Sequence, residues 1–206
     1  MLTRRKMLLA SSSLPIIGAG LLPHGAFSQV AGPIPNRVSD YKYFIRTLDG
    51  HYLTAANGGG LGAIAGLPDI VVALHSDATS VSTWETFSWM WVQPQNDYSA
   101  GTFALRTVNG NYVTAVNGGG MGGPNESTCP FHTDATHGSA WEEFTVVPVS
   151  RPEGTVALRT VNGNYVTAVN GGGIGGDNDT PIHTDAVQIR AWETWVLSLG
   201  PLLNNP

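Results

Sequence analysis

Cysteine, lysine and charged residues are all scarce in this chain of 206 residues. Its single cysteine, Cys129, excludes an intrachain disulfide, so packing must hold the fold together. Lys6 and Lys42 are its only lysines, and charged residues make up 12% of the sequence. No window has a sustained helical period of apolar residues, which argues against a mainly helical fold. The chain is long enough for one domain with a sizeable core.

The first 28 residues have the layout of an export signal. Arg4 and Arg5 precede a short apolar stretch, residues 7–22, and small residues around Ser28 follow. Pro15 and Gly18 interrupt the apolar stretch, so it would make a poor membrane-spanning helix. We therefore predict a twin-arginine-type signal peptide over 1–28, and a periplasmic or secreted protein with no membrane association after cleavage.

Charge narrows the possible partners further. Cleavage after residue 28 removes three of the ten basic residues and leaves all fifteen acidic ones, a net charge of −8. Affinity for nucleic acids comes largely from Lys and Arg that neutralise phosphates. Such an acidic surface repels phosphate backbones, so we expect no nucleic-acid partner.

Most informative is an internal repeat that occurs three times. Each copy carries an Arg-Thr pair, a Tyr six residues after that Arg, an Asn-Gly-Gly-Gly run, a His-x-Asp-Ala element and a Trp-Glu pair before a second aromatic residue. The repeated tyrosines, Tyr52, Tyr112 and Tyr165, are 60 and 53 residues apart. We predict repeats over about 41–93, 102–149 and 155–199, within a domain of 41–199 that follows an extension (29–40) and precedes a tail (200–206).

Four short strands are predicted in each repeat. Asn109-Gly110 separates two of them and favours a tight primed hairpin turn. A lone repeat would leave its apolar face in water, so the three must share one core of twelve strands. A three-bladed propeller is the rival architecture, but propellers have four or more blades. The predicted fold class is all-β, a β-trefoil of three pseudo-symmetric four-strand repeats.

The run Leu-Arg-Thr-x-Asn-Gly-Asn-Tyr-x-Thr-Ala, with the later Gly-Gly-Gly and Trp-Glu-x-Phe, resembles the repeat of fascin-like β-trefoils over about residues 41–199. The resemblance implies the fold, and through bacterial relatives it implies a sugar-binding module that uses a Trp and a Glu in each lobe. Eukaryotic fascins bundle actin. The export signal and the acidic, lysine-poor mature chain make actin an improbable partner here, because actin is itself acidic.

Three repeated tryptophans are the first candidates for a binding site: Trp84, Trp141 and Trp192. An indole face stacks well on the C–H face of a sugar ring. Each Trp precedes by three residues a second aromatic, and that spacing puts the two on opposite sides of an extended segment. If the second aromatic is in the core, the Trp is exposed. The alternative is that each Trp plugs the end of the barrel.

Acidic and histidine side chains complete the predicted carbohydrate site. Glu85, Glu142 and Glu193 could accept hydrogen bonds from sugar hydroxyls, or could instead be buried and accept backbone N–H bonds. The His-x-Asp pairs could contact sugar, contribute to a metal site around the threefold axis, or stabilise a loop. The repeated arginines of the first strand are predicted to tether the Asp residues of these pairs. The pairs are His75 with Asp77, His132 with Asp134, and His183 with Asp185.

No set of residues predicts an enzyme, a bound metal or a cofactor. Cys129 occurs in one copy only, and catalytic residues normally break a repeat's symmetry. We expect an exported, monomeric, lectin-like protein with up to three equivalent sites for a polysaccharide or oligosaccharide. The alternative is a protein-interaction or inhibitor module that binds through the segments least alike between copies, residues 61–72 or 121–130.

Overall fold

The computed structural model describes residues 38–62, 72–93, 101–123, 129–150, 152, 154–176 and 181–200, and of residues 38–41 and 91–93 it describes the backbone alone. The predicted signal peptide, most of the predicted extension and nearly all of the tail lie outside the described residues. No helix in the described part is long and apolar enough to cross a membrane.

Twelve strands make up the described fold, four in each repeat. The first repeat has β1 (Val38–Thr47), β2 (Tyr52–Ala55), β3 (Leu74–Ala78) and β4 (Phe87–Gln93). The second has β5 (Thr102–Arg106), β6 (Tyr112–Ala115), β7 (Phe131–Ala135) and β8 (Phe144–Val149). The third has β9 (Thr155–Thr160), β10 (Tyr165–Ala168), β11 (Ile182–Ala186) and β12 (Trp195–Leu199).

The first and fourth strands of each repeat close into a six-stranded barrel. Antiparallel pairing runs from β1 to β4, β5, β8, β9 and β12, and then back to β1. The remaining strands form three hairpins, β2–β3, β6–β7 and β10–β11, and β3 contacts both β7 and β11. This arrangement is a β-trefoil, which confirms the predicted fold class.

Aromatic residues from all three repeats fill the barrel. Phe87, Phe103, Phe144 and Trp195 are at most 1% exposed, and Trp89 stacks on Phe103 with ring centroids 3.6 Å apart. Each such side chain stabilises the fold by about 1.5–3 kcal/mol through burial. The core explains how a chain without a disulfide holds its shape.

The hairpin turns differ from the prediction. Gly110 has φ +88°, but Asn109 is not among the described residues with positive φ, so the turn is not the predicted primed type. The Gly110 N–H donates to Thr107 O at 3.0 Å, and Thr107 N–H donates to Asn111 O at 2.8 Å. These bonds describe a three-residue loop that ends in a glycine bulge, a common alternative for Asn-Gly. The other two hairpins have the same glycine and the same turn bond.

Glycine loops interlock the repeats in a circle. Gly60 N–H of the first repeat donates to Thr133 O of the second at 2.7 Å, and Thr133 N–H returns a bond to Leu61 O at 2.6 Å. The same two-way pairing joins the second repeat to the third and the third to the first. The asparagine that opens each loop has φ of +55° to +57°, a conformation that asparagine tolerates better than other residues with a Cβ. We call each place where the glycine loop of one repeat bonds to the next repeat a junction, and each junction is therefore built from two repeats.

Candidate binding site at the repeat junctions

The three repeated tryptophans are exposed on short turns. Trp84, Trp141 and Trp192 are 43%, 45% and 46% exposed, whereas the second aromatic of each copy lies in the core. The predicted division between an outer and an inner aromatic is present, although the geometry differs from the prediction. In the second and third copies the Trp lies in a 3-10 turn, Ala140–Glu142 or Ala191–Glu193, and not in an extended segment.

Each repeated glutamate fixes the turn that carries its tryptophan. Glu142 is 4% exposed, accepts from Thr114 Oγ1 at 2.7 Å, and accepts from Ser139 N–H at 2.8 Å and Ser139 Oγ at 2.7 Å. Glu85 and Glu193 are 5% exposed and make the corresponding bonds to a strand threonine and to a backbone N–H three residues earlier.

This network revises the role predicted for Glu85, Glu142 and Glu193. Both carboxylate oxygens of each residue already accept hydrogen bonds from the protein, and the side chains are almost inaccessible. A sugar hydroxyl could reach them only if the turn opened, because buried polar groups that are satisfied internally offer no free acceptor. The glutamates are buried and accept backbone N–H bonds, which was the alternative to sugar contact. In this arrangement they position the tryptophans.

The tryptophan turn of each repeat lies beside the hairpin tip of the next repeat. The turn Ala140–Glu142 packs against Val116–Gly118, whose carbonyls receive bonds from the following hairpin: Asn162 Nδ2 donates to Asn117 O at 2.8 Å and Asn162 N–H donates to Gly118 O at 3.1 Å. Asn109 makes the same contacts one junction earlier, to Asn57 O and Gly58 O. The indole is therefore a junction residue.

The third junction has a carboxylate where the other two have an amide. Asp49 occupies the tip position of Asn109 and Asn162, and a methyl group added to Gly171 would collide with its Oδ2. The same methyl group would lie 3.8 Å from Trp192 Cδ1, so the indole and the carboxylate flank one glycine. The three sites are thus equivalent in backbone but not in chemistry.

Apolar tip residues extend each site beyond the indole. Val108 is 47% exposed, Val161 is 52% exposed and Leu48 is 37% exposed, and each precedes the tip Asn or Asp. An exposed indole with an aliphatic side chain and an amide or carboxylate nearby suits a ligand that has both apolar and hydroxyl faces. These tip residues were not among the predicted site residues. Their position two residues after each repeated arginine was the available signal.

Each repeat takes part in two junctions. Its histidine–aspartate pair lies at the junction with the preceding repeat, whereas its Trp lies at the junction with the following one. His75 Nδ1 is 2.5 Å from Asp77 Oδ1, and His183 Nδ1 is 3.8 Å from Asp185 Oδ1. Each aspartate lies against a glycine of the preceding repeat: Asp77 by Gly175, Asp134 by Gly62, Asp185 by Gly122. At the junction of the first and second repeats, Trp84 therefore shares a glycine loop with His132 and Asp134 and not with His75 and Asp77.

No group of three or more possible metal ligands occurs among the residues with described positions. The predicted arginine–aspartate tethers are wrong for this part of the chain, where the ion pairs involve histidine only. Arg106 Nε donates instead to Gly110 O at 2.7 Å, and its guanidinium lies 5.8 Å from the Tyr112 ring centroid. The arginine thus stabilises its own hairpin.

Partial burial of His132 should make stability depend on pH. Desolvation lowers the pKa of His132 below its usual 6.5, and the Asp134 carboxylate opposes this only in part. The unfolded chain binds the proton more readily, so the contribution of neutral His132 is present above pH 6.5 and is lost as pH falls below it. We expect the melting temperature to fall less between pH 7.5 and 5.5 in His132→Asn than in the unsubstituted protein. Equal slopes would contradict this.

One hollow of about 360 Å³ opens at the junction of the second and third repeats. Its walls come from β5, β8 and the tip of the β9–β10 hairpin, which is the same tip that lies beside the Trp141 turn. Its lining is polar: Thr102, Glu143, Thr145, Arg159, Thr160, Val161, Asn162 and Gly163.

Solved structures of other β-trefoils are similar to the chain in shape. The designed threefold-symmetric protein ThreeFoil is 11% identical over 76% of this chain and 96% of its own, with TM-score 0.52. The Rhizoctonia solani agglutinin is 12% identical over 81% and 98%, with TM-score 0.51. The SDF2-like protein from Arabidopsis thaliana is 11% identical over 80% and 95%, with TM-score 0.53. Known protein families and curated proteins gave no match. At these identities the likeness shows the fold, a β-trefoil, and nothing finer.

Proposed function

We propose that the protein is an exported, lectin-like β-trefoil that binds a polysaccharide or oligosaccharide without chemically changing it. The observation that carries the proposal is the exposure of three equivalent indoles, each 43–46% accessible, on turns held rigid by a buried glutamate. Tryptophan is usually far more buried, as Trp89 and Trp195 are here at 3% and 0%. Burial in the core cannot explain three large apolar side chains that face water at symmetric places, so we attribute their exposure to ligand binding.

A sugar ring fits the chemistry around each indole. Its C–H face stacks on the aromatic ring, and its hydroxyls can pair with the tip amide or carboxylate of the adjacent repeat. Because Glu85, Glu142 and Glu193 hold the turns, little conformational entropy is lost when the ligand stacks. We therefore assign the contacts to Trp84, Trp141 and Trp192 and the tip residues, with the His–Asp pairs further along the glycine loop.

Three weak sites on one rigid body would favour a polymer. A chain that reaches two sites gains avidity of roughly 10²–10⁴ over a single site without any new kind of contact. Export through a signal peptide would place such a protein where glycans of envelopes and matrices are found. The fold of the agglutinin among the similar structures is compatible with this use, although a fold alone does not carry function.

The test is binding to a panel of soluble and insoluble glycans by the mature chain, followed by substitution of the indoles. Each of Trp84→Ala, Trp141→Ala and Trp192→Ala should weaken binding to the retained polymer roughly tenfold, and the triple variant should not bind. Val187→Ala is the control, because Val187 is apolar and 76% exposed and is not one of the site residues named above. Affinity electrophoresis with thermal unfolding of each variant separates lost contact from lost fold.

Undiminished binding by a folded triple variant would refute the site. Retention of a single protein from an extract, with no glycan bound by any variant, would favour the alternative protein-interaction module. The segments expected to matter in that case, 61–72 and 121–130, lie largely outside the described residues.

A further inference from the structure

The hollow at the junction of the second and third repeats holds a charged residue that the corresponding positions of the other two junctions lack. Glu143 lies in one wall and Arg159 in the other. The positions that correspond to Glu143 in the other copies are Thr86 and Thr194, and both donate to a carbonyl of their own turn at 2.7 Å. An ionised carboxylate cannot donate that bond, so the half-buried Glu143 side chain faces the hollow instead.

Arg159 is likewise without the contacts that hold its counterpart. Arg106 is half-buried and its side chain donates to its own hairpin, whereas Arg159 is exposed and its guanidinium makes no hydrogen bond or ion pair with any described residue. The Glu143 carboxylate has none either, so the two opposite charges share one hollow without pairing within 4.0 Å. A guanidinium left free in this way presents a fork of donors that matches a carboxylate in two places.

A buried hydroxyl in the same hollow is also without a partner. Thr160 is 3% exposed and its Oγ1 makes no hydrogen bond. In the other two copies the hydroxyl is paired: Thr107 Oγ1 donates to Asn111 O at 3.1 Å, and Thr47 Oγ1 accepts from His51 N–H at 3.2 Å. A ligand group that reaches this hydroxyl would supply the missing bond.

We propose that this hollow is a subsite for a sugar that carries a carboxylate, that is, a uronic acid residue of the bound glycan. Arg159 pairs with the carboxylate, and Glu143 accepts from the ring hydroxyls. The hollow reaches the surface at Val161 and Asn162, beside the Trp141 turn. This assignment rests on the proposed glycan-binding function and makes the second site the selective one of the three.

The overall negative charge of the chain does not oppose this pairing. Exposed charges beyond about 8 Å are largely screened at physiological salt, so the nearest groups decide. Among those groups Arg159 alone can bind a carboxylate in two places, and Glu143 accepts equally well from neutral hydroxyls. A neutral sugar would leave the guanidinium without an acceptor, which is why the acid is preferred.

The assignment is tested by titrating the mature protein with methyl glucuronide, methyl glucoside and glucosamine. The readout is the NMR shift of each backbone and indole N–H group. We expect the glucuronide to bind at least about tenfold tighter than the glucoside, with shifts at 143, 145 and 159–163. Arg159→Gln should abolish this preference, so that the glucuronide binds no more tightly than the glucoside. Arg106→Gln, at the equivalent position of the preceding junction, is the control and should keep the preference.

Equal affinity for the glucuronide and the glucoside, a preference that survives Arg159→Gln, or tighter binding of glucosamine would each overturn the charged subsite. In all three results the protein still binds sugar, so the proposed function stands. Absence of binding to every sugar and polymer tested overturns the proposed function and the subsite together. A preference that weakens as salt rises from 50 to 500 mM would be expected of the ion pair.

Discussion

Gly59→Ala is expected to destabilise the domain by about 4 kcal/mol, the largest effect of any single alanine substitution considered for this chain. Gly59 has φ +97° and ψ 175°, a conformation that is open almost only to glycine, so strain contributes roughly 1–3 kcal/mol. The added methyl group would also collide with the buried Thr107 side chain of the next repeat, at 2.8 Å from its Cβ. Overpacking of this kind contributes a further 1–3 kcal/mol or so.

Gly50→Ala separates the two causes. Gly50 has φ +96°, almost the same as Gly59, but an added methyl group has no heavy atom within 4 Å. It should therefore show the cost of a side chain at positive φ without a collision, about 1–2 kcal/mol. Urea unfolding followed by the fluorescence of the buried tryptophans measures both values. If the two variants lose the same stability, the glycine loop does not interlock the repeats as described.

Glu142→Ala should cost about 3 kcal/mol in the free energy of unfolding and should also weaken sugar binding at the second site. The substitution removes three hydrogen bonds to a charged acceptor and leaves the Thr114 hydroxyl buried without its partner. For a domain of this size the melting temperature should fall by roughly 10 °C. The Trp141 turn would lose the group that fixes it, so ligand affinity should fall even where the protein remains folded.

Two variants control for the loss of stability. Glu142→Gln keeps one acceptor oxygen and the side-chain shape, so it should lose less than half as much stability. Glu143→Ala removes the adjacent carboxylate, which has no partner among the described residues, and should change the melting temperature by no more than about 2 °C. A stable Glu142→Ala with unchanged sugar binding would show that the glutamate does not position the indole.

The fold was predictable because the threefold repeat can be recognised in the amino-acid sequence. Three copies of the same apolar alternation, each too small to bury its own face, leave little choice but a shared core, and the barrel of Phe87, Phe144 and Trp195 is that core. The type of hairpin turn was not predictable, because Asn-Gly serves both the primed turn and the glycine bulge found here. Pairing of neighbouring strands, and not the dipeptide, selects between them.

The site was predictable only in part. The spacing between Trp141 and Phe144 correctly indicated an outer and an inner ring, although the turn is 3-10 in form. The same alternation already placed Glu142 on the inner side, which the structure shows as a buried acceptor. Grouping each Trp with the His–Asp pair of its own copy followed chain order, whereas the glycine loops bring together residues from successive copies.

What the chain's order of residues determined by itself is the number of repeats and the shared core, because these depend on short-range alternation and on the area each copy must bury. The exposure of the indoles was open in the sequence, and the turns that carry them decided it. Tertiary structure alone decided that the sites lie between repeats and that one of them holds an unpaired Arg159 and Glu143. Those two residues are 16 positions apart in the chain and belong to different copies. The antiparallel pairing of β8 with β9, in which Thr145 lies opposite Arg159, brings them to the same hollow.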